Sequence, residues 1–153
     1  MSSRFKVKAA ARALYLVSGF SVTGLAQDLP PGVKALTPGQ LTYSESPRAP
    51  GVLTAPLLGV PSKAEYYVFR AKYPPYTVNG PHHHPGDEEL TVIAGTLYVG
   101  HGTTMDRDKA TAYPPGSYIR EPAGAVHYLF TKDEVVEVEV RGMGPRRNIY
   151  FVK

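Results

Sequence analysis

Val135-Val136-Glu137-Val138-Glu139-Val140-Arg141 decides the fold class. Valine and glutamate alternate here with a period of two. In an extended chain, successive side chains point to opposite faces, so this segment presents one apolar face and one ionised face. A helix would scatter both residue types around its circumference. Working outward, the same reasoning predicts strands at Tyr66–Tyr73, Glu89–Ala94, Thr96–His101, Thr111–Tyr113, Ser117–Arg120, Val126–Thr131 and Asn148–Val152. Pro74-Pro75 and Pro114-Pro115-Gly116 end strands, and Ala94-Gly95 reads as a tight turn or bulge. The chain carries 15 Gly and 15 Pro, a load that suits short strands and turns and hinders long helices. The expected fold is all-β, an antiparallel barrel or sandwich of short strands.

Residues 66–153 form the expected barrel core. Residues 27–65 are rich in Pro, Gly and small side chains and read as an extended arm with short strands at Leu41–Ser44 and Val52–Leu58. The prolines at 47, 50, 56 and 61 forbid a long helix there. At 153 residues the length suits one domain with a sizeable core, and no internal repeat is found.

The net charge of +4 comes from 17 basic and 13 acidic residues. Four of the basic residues, Arg4, Lys6, Lys8 and Arg12, precede a largely apolar run from Ala13 to Ala26 that ends in Gly24-Leu25-Ala26. A basic start, an apolar run and a small-residue end form a signal-peptide pattern over residues 1–26. The expected compartment is therefore the periplasm or the exterior of the cell. Taking these four from 17 leaves 13 basic residues against 13 acidic ones. A duplex binder needs a concentrated positive face, so no nucleic-acid partner is expected. Arg141, Arg146 and Arg147 are the densest basic spot left, and they read as solvated surface. The mature chain is not expected to be embedded in a membrane. Cysteine is absent, which excludes disulfides, thiolate metal sites and cysteine nucleophiles.

The chemistry concentrates in Pro81-His82-His83-His84-Pro85-Gly86-Asp87-Glu88-Glu89. If the segment is extended, His82 and His84 project to one side and His83 to the other. Glu88 can join them at the start of the next strand, and a neighbouring strand can supply His127. Glu88 shares its parity with Leu90 and Val92, the more apolar face, whereas Glu89 goes with Thr91 and Ile93. Three imidazoles and one carboxylate suit a divalent first-row transition metal, Fe, Mn, Ni, Zn or Cu, rather than calcium or magnesium. His101, at a strand end, reads as surface.

These residues resemble the two motifs of the cupin superfamily. The first reads His82-x-His84-x3-Glu88-x6-Gly95 and the second Gly116-x5-Pro122-x-Gly124-x2-His127. The second motif often ends in asparagine four residues past the histidine, where this chain has Thr131. The resemblance covers the motifs over residues 80–131, and the strand periodicity extends it over 66–152. The chain resembles most the short, exported, single-domain cupins. What this implies is a small antiparallel jelly-roll β-barrel with the metal inside, held by His82, His84, Glu88 and His127, and a homodimer as in many cupins. Pocket walls are expected among Tyr67, Phe69, Tyr76, Tyr118, Tyr128 and Tyr150, with Glu139 or Arg120 as the charges that would break an apolar lining.

Two classes of function fit such a site. One is a metal-dependent enzyme on a small organic substrate, either a dioxygenase-like oxidoreductase or an isomerase in which Glu88 acts as a base. The other is a non-enzymatic periplasmic module that binds or senses a small molecule or a metal.

Overall fold

The computed structural model describes residues 29–47 and 49–151. The signal-peptide expectation for residues 1–26 lies outside the described residues. The chain divides into two units, Met1–Ala35 and Leu36–Lys153. In the first, the Val33 amide donates to the Pro30 carbonyl and closes a turn. The second holds the strands β1 (Ser44–Ser46), β2 (Ala49–Leu58), β3 (Tyr66–Tyr73), β4 (Val78–His83), β5 (Glu88–Ala94), β6 (Leu97–His101), β7 (Thr111–Tyr113), β8 (Tyr118–Glu121), β9 (His127–Phe130), β10 (Val136–Met143) and β11 (Ile149–Tyr150). Among the described residues the only helical turns are short 3₁₀ segments at Pro38–Gln40 and Arg107–Lys109. No helix among them is long and apolar enough to cross a membrane.

Two antiparallel sheets form a jelly roll. One has the order β1-β2-β3-β10-β5-β8 and the other β11-β4-β9-β6-β7. The alternating valines place β10 between β3 and β5. Val136, Val138 and Val140 are buried, at 0 to 1% exposure. Glu137 and Glu139 lie on the opposite face, where Arg70 donates to both, from Nε to Glu139 at 2.9 Å and from Nη1 to Glu137 at 3.3 Å. Tyr67, Phe69, Leu90, Val92, Leu97, Val99, Ile119 and Leu129 complete an apolar core drawn from both sheets. Apolar side chains that alternate along β3, β5 and β10 have no other way to leave water together.

The strand expected at Val52–Leu58 is present as β2, which starts three residues earlier and pairs along β3 from Leu53 opposite Lys72 to Leu58 opposite Val68. The structure departs from the expected strands in two places that matter. The first short strand begins at Ser44, where pairing with Thr54 starts, rather than at Leu41. His82 and His83 of the histidine triplet belong to a strand, β4, that was not expected, and His84 follows directly after it. Pro81 interrupts its ladder because proline has no amide proton, and the register with β9 shifts between Asn79 and His82. This bulge sets His82 directly opposite His127. Thr131 does structural work where asparagine is common: its hydroxyl accepts from the Thr77 amide at 2.9 Å and donates to the Pro74 carbonyl at 2.7 Å.

Candidate metal centre

His82, His84 and His127 converge from β4, the turn after it and β9. All three are buried, and one ring nitrogen of each lies within 4.8 Å of the others. Ring centroids are 4.4 Å apart for His82 and His127, 5.0 Å for His82 and His84, and 5.2 Å for His84 and His127. Each Nδ1 faces a main-chain carbonyl: that of Gly80 at 2.8 Å for His82, of Arg147 at 3.0 Å for His84, and of Ala125 at 3.2 Å for His127. A carbonyl only accepts, so each Nδ1 carries the proton and each Nε2 keeps a lone pair. Burial pushes the His82 imidazole down to about 3, against the pull of the Gly80 carbonyl. Burial also lowers His127, with Glu121 opposing it. Both rings are therefore neutral near pH 7, the form that binds metals.

Glu88 opens β5 opposite Glu121 of β8. Its Oε1 lies 3.3 Å from Nε2 of His84, and that buried nitrogen has no hydrogen-bond partner. Two acceptors facing each other at this distance call for a cation or a proton between them. The residues present thus fit a divalent first-row ion, and the three-histidine group is suited to hold one.

Arg146, from the loop between β10 and β11, also claims Glu88. Its Nη2 donates to Oε1 at 3.1 Å and its Nε to Oε2. Tyr67 donates its hydroxyl to Oε2 at 3.3 Å. Burial alone would raise the Glu88 carboxyl, but the Arg146 charge and the His84 contact outweigh it and hold the group below the usual carboxylate range. The structure corrects the reading of Arg146 as solvated surface, since its side chain is 16% exposed. The neighbouring Arg141 does turn outward, to Glu89 at 2.8 Å.

Glu121 is a second buried carboxylate that the strand pattern missed, because β8 runs one residue further than expected. It accepts from His101 Nε2 at 3.0 Å and lies 3.8 Å from His127 Nδ1. His101 is exposed, yet this bond ties it to the edge of the site. His83 points away, as its parity predicts, with its ring 5.7 Å from that of Phe151. Glu139 and Arg120 are engaged elsewhere, with Arg70 and Asp87.

The candidate wall residues separate. Tyr67 is buried against Glu88. Phe69 lines a cavity of about 360 Å³ together with Val52, Ala71, Tyr73, Asn79 and Arg146. Asn79 links this cavity to the histidines, its Nδ2 lying 3.4 Å from His82 Nε2. Tyr150 stands at the rim, 5.4 Å from the His82 ring, and donates to Asn79. Tyr76 and Tyr118 are exposed. Tyr128 is buried on the other face of its sheet, where its hydroxyl donates to the Asp106 carbonyl at 2.5 Å. None of these last three reaches the histidines.

Residues 33–142 match the ChrR cupin-like domain family. Among curated proteins, the chain is 34% identical over 82 residues to putative germin-like protein 2-1 of Oryza sativa subsp. japonica, covering 50% of this chain and 38% of that protein. It is 33% identical over 78 residues to germin-like protein subfamily 1 member 20 of Arabidopsis thaliana, covering 48% and 35%. The chain thus spans well under half the length of these relatives. Two solved structures share its fold. The polyketide cyclase RemF from Streptomyces resistomycificus has a TM-score of 0.63 at 19% identity over 79% of this chain and 88% of that one. An acetylacetone dioxygenase from Acinetobacter johnsonii has a TM-score of 0.59 at 17% identity over 80% of each chain.

Proposed function

Because this chain belongs to the ChrR cupin-like domain family, we propose that it is a metal-dependent cupin enzyme, an oxidoreductase of dioxygenase type acting on a small organic substrate. His82, His84 and His127 are the ligands, and Glu88 is the fourth. The observation that carries the reading is the set of three Nδ1–carbonyl contacts, which aims three neutral imidazoles inward from a buried frame. Bound Fe(II) or Mn(II) would supply redox chemistry with dioxygen, and Zn(II) or Ni(II) would supply Lewis acidity. The cavity that Asn79 connects to the histidines has room for a small organic molecule, and Val52, Phe69 and Ala71 give part of it an apolar wall. Burial and the nearby Glu88 charge raise the Tyr67 hydroxyl above its ordinary range, so it stays protonated and donates to Glu88. Glu88 is correspondingly a weak base. That favours its role as a ligand over the proton-moving role an isomerase would require. The likeness in fold to a dioxygenase named for acetylacetone makes β-diketones a rational first substrate panel.

The test is elemental analysis of protein purified without chelator or added metal, followed by oxygen uptake with diketones, catechols and thiols. We expect about one first-row metal per chain and oxygen consumption with at least one class. Stoichiometric metal without turnover would instead support the binding or sensing reading. The pattern over residues 1–26 supports export, which N-terminal sequencing of the protein from the periplasmic fraction would test.

A further inference from the structure

We propose that Asn79 is the hydrogen-bond donor for a substrate oxygen beside the metal centre, and that Tyr150 and Asn148 hold its amide in the orientation this needs. The role rests on the metal reading above and adds to it a subsite for a carbonyl or enolate oxygen.

Contacts in series fix which way each group points. A guanidinium only donates, and Arg146 Nη1 lies 3.3 Å from Asn148 Oδ1. Asn148 Nδ2 is thereby directed to the Tyr150 hydroxyl, to which it donates at 2.9 Å. That hydroxyl in turn donates to Asn79 Oδ1, also at 2.9 Å. With its oxygen engaged, Asn79 aims Nδ2 at Nε2 of His82, 3.4 Å away. This Nε2 is an acceptor, because Nδ1 of the same ring gives its proton to the Gly80 carbonyl. Each contact from Arg146 to His82 thus runs from donor to acceptor in one direction. The opposite orientation of the Asn79 amide would set two lone pairs against each other at His82. Strand pairing brings the parts together, since Tyr150 of β11 lies opposite His82 of β4.

The lone pair that Asn79 approaches is the one His82 would give to an ion. Asn79 must surrender it when His82 becomes a ligand. The contact is long for an N–H···N bond, so giving it up costs the site little. Tyr150 still holds Oδ1, and the amide keeps its orientation with an N–H left to satisfy. Asn79 also lines the cavity of about 360 Å³, together with Val52, Phe69 and Ala71. A molecule that reaches the ion from this cavity through an oxygen brings an acceptor to that N–H. A fixed donor recognises a lone pair, so it selects a carbonyl or enolate over an amine or a ring N–H.

The experiment titrates Co²⁺ into the full chain, read by its visible absorption. The Co²⁺-loaded chain is then titrated without oxygen, either with acetylacetone or with imidazole, which gives the ion a nitrogen and leaves no lone pair for Asn79. Asn79→Leu should bind Co²⁺ at least as tightly as wild type, since His82 no longer shares its lone pair. The same variant should weaken acetylacetone about tenfold, the order of one lost hydrogen bond, and leave imidazole affinity unchanged. Tyr150→Phe, which frees the Asn79 amide to turn, should weaken acetylacetone by a smaller factor without moving imidazole, and it serves if Asn79→Leu does not fold. Wild-type affinity for acetylacetone in both variants overturns the inference alone. An equal loss for acetylacetone and imidazole makes Asn79 a wall rather than a donor and also overturns it, as does a Co²⁺-loaded wild type that shows no response to acetylacetone. A wild-type chain that binds no Co²⁺ overturns both this inference and the metal reading.

Discussion

Each of the three site imidazoles gives its Nδ1 proton to a main-chain carbonyl, and that bond decides what the ring can do. A ring fixed in this tautomer offers one lone pair in one direction. His84→Ala and His127→Ala each remove one of three such donors, from two different segments. We expect each to weaken metal binding by at least 100-fold and to abolish the rise in melting temperature on adding metal, because binding to the folded state alone is what stabilises it. His83→Ala should leave the metal stoichiometry unchanged. Dialysis against a metal buffer with elemental analysis decides all three, and metal loss in His83→Ala would mean that the assigned faces of β4 are reversed. The histidines were legible because an i, i+2 pair on an extended segment shares a side. Arg146 was not, because the carboxylate it grips is 58 residues away and nothing local distinguishes it from Arg141 or Arg147. Tyr67 was named as a wall, but its bond to Glu88 spans a sheet and has no signature in spacing.

At the level of elements, β10 was readable since its alternation is uninterrupted from Val136 to Val140. β4 was not, since Gly80 and Pro81 are residues that strands ordinarily exclude. Its ladder survives only by a bulge, and the bulge is what pairs His82 with His127. The β5–β6 connection was read correctly as a turn or bulge. Gly95 has φ +70°, and a Cβ there would stand 2.5 Å from the Val135 carbonyl oxygen. Gly80 has open space around its Cβ position, with nothing within 4 Å. Gly95→Ala should therefore destabilise the protein by about 1–3 kcal/mol or more, from the left-handed backbone together with the clash. Gly80→Ala should change stability by less than about 0.5 kcal/mol, the range of sites with no special contact. Urea unfolding of both variants measures the contrast. Equal effects would mean that the turn after β5 tolerates a side chain and the register it sets is not fixed by glycine.

For the molecule as a whole, the two sheets bring complementary halves to the core: histidines from the five-stranded sheet, and Tyr67, Glu88 and Glu121 from the six-stranded one. Protonation of the histidines is therefore linked to global unfolding. His82 titrates at about 3 when folded, against 6.5 when free. Below pH 6.5 the unfolded chain binds a proton that the folded chain refuses, so His82 contributes stability above that pH and loses it as the pH falls towards 3. His127 is shifted in the same direction. Glu88, also lowered, contributes above the ordinary carboxylate range and loses its share as the pH drops through it. All three signs agree. With chelator present, stability should be level from pH 7 to 8 and should fall by about 2 kcal/mol between pH 7 and pH 5 from His82 alone, with His127 adding to the slope. Chemical denaturation across this range gives the answer. A flat profile from pH 7 down to 5 would show that the folded rings protonate as freely as the unfolded ones. Three lone pairs held ready in a dry frame would then be the wrong description of this site. Saturating metal should shift the fall to lower pH, because protons and the ion compete for the same Nε2 atoms.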